Sequence, residues 1–117
     1  MASFDQRGQK VTYQFNANGD INFGNIQNKT EFVAELRKLI SEVHLASKSG
    51  SIQEEIAIDV ESNLQKAIVQ AGKEKPDKKT ILDHINGAKA LIESLASASG
   101  LVSALLQAAN LAKGLFL

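Results

Sequence analysis

DKKTILDHINGAKALIESLASASGLVSALLQAANLAKGLFL, running from Asp77 to Leu117, follows the single proline of the chain and contains no helix breaker except glycine. Ile81, Ile85, Ala88, Ile92, Leu95, Val102, Leu106, Ala109 and Phe116 recur at steps of mostly three and four, a heptad-like helical seam. No charged residue occurs between Glu93 and Lys113. A helix that is polar on one side early and apolar nearly all round later has to bury its second half, in a core, in another subunit or on a lipid surface. The heptad phase runs through Gly100 without a skip. That predicts one long helix, continuous or gently kinked, although glycine costs about 1 kcal/mol against alanine there. A chain that instead folded back after Gly100 would form a fourth helix.

Working towards the N-terminus, two further amphipathic segments precede this one. Asn28-Lys29-Thr30-Glu31 has the spacing of a capping box with Asn28 as N-cap. Phe32, Val33, Leu36, Leu39, Ile40, Val43 and Ala46 then form an apolar stripe, which Ser49-Gly50 ends. Ser51-Ile52-Gln53-Glu54 repeats the capping spacing and predicts a second helix buried through Ile56, Val60, Leu64, Ala67, Ile68 and Ala71. Asp77, three residues before Thr80, is the expected N-cap of the third helix. Short connections between amphipathic helices favour antiparallel neighbours.

The first third has a different texture. Five of the six aromatics lie there, and Val11, Tyr13 and Phe15 alternate with polar residues in the manner of a strand. Ile21 and Phe23 repeat the alternation after Ala17-Asn18-Gly19, a turn signal. A three-residue loop with Gly19 in the left-handed conformation sets Phe15 opposite Ile21 and Tyr13 opposite Phe23. All the large apolar groups then share one face, which a two-residue loop would not achieve. The expected architecture is a mainly α single domain over 1–117: a lead-in at 1–9, a β-hairpin at 10–27 and a helical body at 28–117. That body is a three-helix antiparallel bundle with a long C-terminal helix, or a four-helix one.

Composition narrows function mostly by exclusion. Thirteen basic and thirteen acidic residues cancel, so no overall charge draws the chain to nucleic acid or an anionic membrane. There is no cysteine, hence no disulfide, thiol chemistry or thiolate metal site. The polar N-terminus lacks a signal-peptide core, and a cytoplasmic protein is expected. His44 and His84 have no second ligand at i+3 or i+4 and read as surface or capping residues. The acids Glu54, Glu55, Asp59 and Glu61 suit the N-terminal half of a helix. Lys73, Lys75, Lys78 and Lys79 read as a solvated loop. No catalytic motif, cofactor loop or small-molecule site is expected, so neither enzyme nor metal protein is indicated. Gln107, Asn110 and several hydroxyls make the tail too polar for an ordinary membrane span.

Phe4-Asp-Gln-Arg-Gly-Gln-Lys-Val11, Asn18-Gly-Asp20, Pro76-Asp-Lys-Lys-Thr-Ile-Leu-Asp-His84, Ala88-Lys-Ala-Leu-Ile-Glu93 and the Gly100-Leu-Val segment carry a further expectation. In overall pattern they resemble a small module of cyanobacterial and related bacterial proteins. That module occurs alone or fused to nucleotide-dependent switch proteins and proteases of conflict (defence-type) systems. The resemblance implies a non-enzymatic assembly or effector-associated role and no active-site residues. The residues themselves point the same way, to a self-assembling interaction module. Val11, Tyr13, Phe15, Ile21 and Phe23 are its expected hairpin contacts; Leu101, Val102, Leu105, Leu106, Ala109 and Leu115 are its expected helix seam. The partner is a second copy of the chain, in a ring, a closed bundle or a filament. The rival reading is a membrane-active effector whose C-terminal helix inserts into or lies on a bilayer after oligomerisation.

Overall fold

The computed structural model describes Ile26 and residues 28–116. Four helices follow one another: α1 (Lys29–Lys48), α2 (Glu54–Ala71), α3 (Lys78–Ile92) and α4 (Ser99–Leu115), with a 3₁₀ turn at Ala96–Ala98. No strand occurs among the described residues. The expected hairpin at 10–27, with Val11, Tyr13, Phe15, Ile21 and Phe23, lies outside them apart from Ile26.

Local signals start two of the helices as the sequence predicts. Asn28 is extended, and its side-chain oxygen accepts from the Glu31 amide at 2.8 Å, which satisfies one of the orphan donors of the first turn. Asp77 does the same for α3, accepting from the Lys79 amide at 3.2 Å and from the Thr80 hydroxyl at 2.7 Å. α1 ends where Gly50 takes φ +87°, a left-handed conformation that costs glycine nothing. The Gly50 amide then reaches the Ser47 carbonyl at 3.1 Å, and the Ser51 amide reaches that of Ala46 at 2.9 Å.

The second capping box does not form. α2 begins at Glu54 behind Gln53, with no side-chain cap. Ser51 lies in the connection, its carbonyl accepting from the Ser97 hydroxyl at 2.8 Å. Ile52, next to it, is buried. Closing that connection over the core takes Ser51 away from the helix start.

The long third helix is also corrected. Helical structure stops at Ile92 and resumes at Ser99, so the break precedes Gly100, which sits in the first turn of α4. Leu95 is extended at φ −92°, ψ 113°, and its amide returns to the Ile92 carbonyl at 2.9 Å. Packing supplies the reason. A straight helix would leave Leu101 and Leu105 in water; folded back, both are completely buried. Each such leucine contributes about 1.5–3 kcal/mol, against about 1 kcal/mol for each helical hydrogen bond given up. The break also resets the phase: α4 buries Leu101, Ala104, Leu105, Ala108, Ala109 and Ala112, leaving Val102 half-buried and Leu106 exposed.

Cross-chain contacts establish the up-down-up-down order. Gln70 on α2 accepts from the Asp77 amide at the start of α3 (3.0 Å), and Lys78 Nζ donates to the Lys113 carbonyl at the end of α4 (3.3 Å). Phe32 and Phe116 meet edge to face at 5.5 Å, with Lys29 Nζ 5.4 Å above the Phe116 ring. The start of α1, the α2–α3 connection and the end of α4 thus share one end of the bundle. The α1–α2 and α3–α4 connections share the other, joined by the Ser97–Ser51 hydrogen bond. α2 packs against α1 and α3, α4 against α3, and a thinner α1–α4 seam closes the ring. One core runs through it, from Phe32 and Leu36 through Val60, Leu64, Ile81 and Ile85 to Leu105 and Phe116, with no buried polar or charged residue among the described ones.

Candidate functional site

Two histidine sites deserve separate treatment because imidazole is the commonest acid–base tool. His44 Nδ1 lies 3.8 Å from Glu61 Oε2 in an open groove between α1 and α2, lined also by Ser47, Lys48, Glu54 and Ile58. Among the described residues no hydrogen bond joins Ser47 to His44, so this geometry holds no nucleophile–base contact. His84 Nδ1 lies 3.3 Å from Asn63 Oδ1, where α2 and α3 cross beside Gly87. The Asn63 amide nitrogen donates to the Asp59 carbonyl at 3.1 Å, which fixes its oxygen towards the imidazole. Both arrangements tie neighbouring helices together. Among the described residues no three His, Cys, Asp or Glu side chains converge as metal ligands would.

Two carboxylates depart from ordinary acidity. The Thr80 hydroxyl, followed by the amides of Lys79 and Thr80, holds the Asp77 carboxyl below the usual range, the signature of a working N-cap. Burial pushes Glu42 on α1 upwards. They sit on different helices and form no acid–base pair.

The surface of α4 is what distinguishes the molecule. Its exposed residues are Ser99, Ser103, Leu106, Gln107, Asn110, Lys113 and Gly114, and Lys113 is the one charge in the whole helix. By contrast the exposed positions of α1 include Lys29, Glu31, Arg37, Lys38 and Lys48, and those of α2 include Glu54, Glu55, Asp59 and Lys66. Leu106, at the middle of α4, is 50% exposed. Other large exposed apolar side chains, Leu45, Ile58 and Val69, lie on the more highly charged α1 and α2.

The helix residues expected to form a seam therefore divide. Leu101, Leu105 and Ala109 are buried in the chain's own core, Val102 and Leu115 are half-buried, and Leu106 faces outward. The hairpin residues expected beside them fall outside the described part. Residues outside the heptad stripe, Ser103, Gln107 and Asn110, surround Leu106 on the outer face. Their signal was the absence of charge, which the sequence does display.

No helix among the described residues is long and apolar enough to cross a membrane. No family model, curated protein or solved structure matches the chain.

Proposed function

We propose that this chain is a non-enzymatic, self-assembling protein–protein interaction module that works in the cytoplasm, in a bacterial defence or signalling setting of the kind its sequence pattern implies. The charge-poor outer face of α4, with Leu106 exposed at its centre and Lys113 its one charge, carries the reading. Surface helices ordinarily present charge to water, and interface centres are depleted in charge. Leu106 stands outside the core that Leu101 and Leu105 complete and, unlike the exposed Leu45, Ile58 and Val69, it lies on a helix with a single charge.

Light scattering across a dilution series tests the proposal. A molar mass that rises with concentration supports it, and Leu106→Glu should return the mass to that of one chain while the helical circular dichroism stays unchanged. A single-chain mass at every concentration would sink it.

A further inference from the structure

The net charge of this chain is zero, but its charges are not mixed evenly along the bundle. The end that holds the α2–α3 connection and the start of α1 carries Lys29, Lys73, Lys75, Lys78, Lys79 and Lys113 against Glu31, Glu74 and Asp77. The opposite end carries Glu54, Glu55, Asp59 and Glu93 against Lys48 and Lys89. Helix dipoles explain only part of this. They favour Glu54 and Glu55 at the start of α2 and Lys113 at the end of α4. They disfavour Lys78 and Lys79 in the first turn of α3 and Glu93 at its C-cap.

The ion pairs of α3 run the same way. Lys79–Asp83 (3.0 Å) and Lys89–Glu93 (3.4 Å) both place the lysine N-terminal to the acid at i,i+4, the weaker of the two orders. The two ion pairs of α3 thus oppose its dipole, although Asp77 at the N-cap and Lys89 in the last turn follow it, and both pairs run in the sense that makes one end of the bundle basic and the other acidic. α3 also flanks α4, through the Lys78–Lys113 contact at the basic end.

Resting on the proposal of self-assembly, we infer that two copies of this chain pair antiparallel through the outer faces of their α4 helices, about a two-fold axis between Leu106 and Gln107. The axial charge segregation and the strip of α4 from Ser99 to Asn110, which exposes no charge, lead there together. Two neutral rods with a basic and an acidic end attract side by side only when antiparallel, with each basic end over the partner's acidic end. The contact is isologous and closes with two copies. Leu106 meets the partner's α4 at its middle, and Ser99, Ser103 and Gly114 are small enough to let the helices approach closely. A 17-residue helix gives a strip about 25 Å long. That is small for a stable interface, so the pair is a concentration-dependent, salt-sensitive one.

The absence of native cysteine makes geometry directly readable. Three single-cysteine variants of the full chain, Gln107→Cys, Ser103→Cys and Asn110→Cys, are oxidised mildly at a concentration where light scattering reports association. Each is first shown to melt like the parent. Antiparallel pairing puts residue 107 next to its own copy, so Gln107→Cys cross-links to itself. It separates the two residues 103 by about 10 Å along the axis, beyond the Cα separation of about 7 Å that a disulfide tolerates. Ser103→Cys alone therefore cross-links at least about tenfold more slowly, whereas a mixture of Ser103→Cys and Asn110→Cys forms the mixed dimer efficiently. Added salt slows Gln107→Cys cross-linking.

Self-linking of Ser103→Cys as fast as that of Gln107→Cys would mean parallel packing and overturn the inference. Association without cross-linking at any of the three positions would also overturn it, by placing the contact at the bundle ends or on another face, and would leave self-assembly standing. A single-chain mass throughout removes both, and assigns the α4 face to a different occupant.

Discussion

α3 and α4 come from one stretch of sequence with one apparent heptad phase, yet they solve the problem of burial in opposite ways. α3 has a side-chain cap, two i,i+4 ion pairs and a narrow stripe of large residues, Ile81, Ile85 and Ile92 with Ala88 between them. α4 has no side-chain cap, a single charge, and a wide buried face dominated by alanine, with Ala104, Ala108, Ala109 and Ala112 beside Leu101 and Leu105. α3 adds local interactions that an isolated helix could use to the burial of its three isoleucines. α4 draws on the helix propensity of its alanines and on the burial of Leu101 and Leu105 against its neighbours, with no side-chain cap or ion pair of its own among the described residues. The charge-poor tail is therefore a full member of the core on one side and a surface with a single charge on the other.

The largest test of that comparison removes equal volumes from the two helices. Ile85 and Leu105 are both completely buried. Ile85→Ala and Leu105→Ala should each cost about 2–5 kcal/mol in chemical denaturation. A projecting α4 would make the second substitution almost free, so a loss below about 1 kcal/mol for Leu105→Ala would break the symmetry between the helices.

Those two helices also show what could be read from the chain alone. The caps at Asn28 and Asp77 depend on residues three apart, and the stripes of α1 and α2 on a period within one element; both were legible. The break at 93–98 was not. It is held by Ser97 reaching Ser51, 46 positions away, and by the gain from burying Leu101 and Leu105 against helices that periodicity does not locate. Gly100 drew the eye as the weak point, but a glycine in a first turn lacks only a side chain, while Glu93 to Ala98 had to leave the helix for the chain to reverse. The same reversal moves the buried stripe off the heptad positions Val102 and Leu106 and onto Leu101 and Leu105, which the expected seam had held beside them. Ser51 failed as a cap for a related reason, since Ile52 beside it was drawn into the core. Of the candidate surface, the lack of charge was visible in the sequence and the direction it faces was not.

A smaller effect separates the helix starts. Hydrogen bonds hold the folded-state acidity of Asp77 below its unfolded value, so its cap stabilises the fold fully above the ordinary aspartate range. That contribution falls away as pH drops through the lowered folded value. Asp77→Asn should therefore lower the melting temperature at neutral pH, and the gap between parent and variant should close on acidification. Glu42 has the opposite sign: burial raises it, so the folded state favours the protonated form, and stability from this group is present below its unfolded value and lost as pH rises through the folded one. Glu42→Gln should raise the melting temperature at neutral pH, with the advantage vanishing in acid. No substitution in α4 should carry either signature, because that helix contains no carboxylate side chain. A pH-independent gap for Asp77→Asn would show that the charge of Asp77 adds nothing to the cap, since asparagine can itself cap a helix.

The smallest stability effect is the sharpest test of the face. Leu105 and Leu106 are chemically identical neighbours on one helix, separated by 100° of rotation, one fully buried and the other half exposed. Leu106→Ala, measured by denaturation at a concentration where single chains dominate, should change stability by less than about 0.5 kcal/mol. At higher concentration the parent should gain stability from association and the variant should not, because mass action adds only what binds the folded state. The two leucines thus assign the two sides of α4 independently. If Leu106→Ala instead costs as much as Leu105→Ala at every concentration, the outer face is packed within a single chain, and the surface argued for assembly is part of the fold.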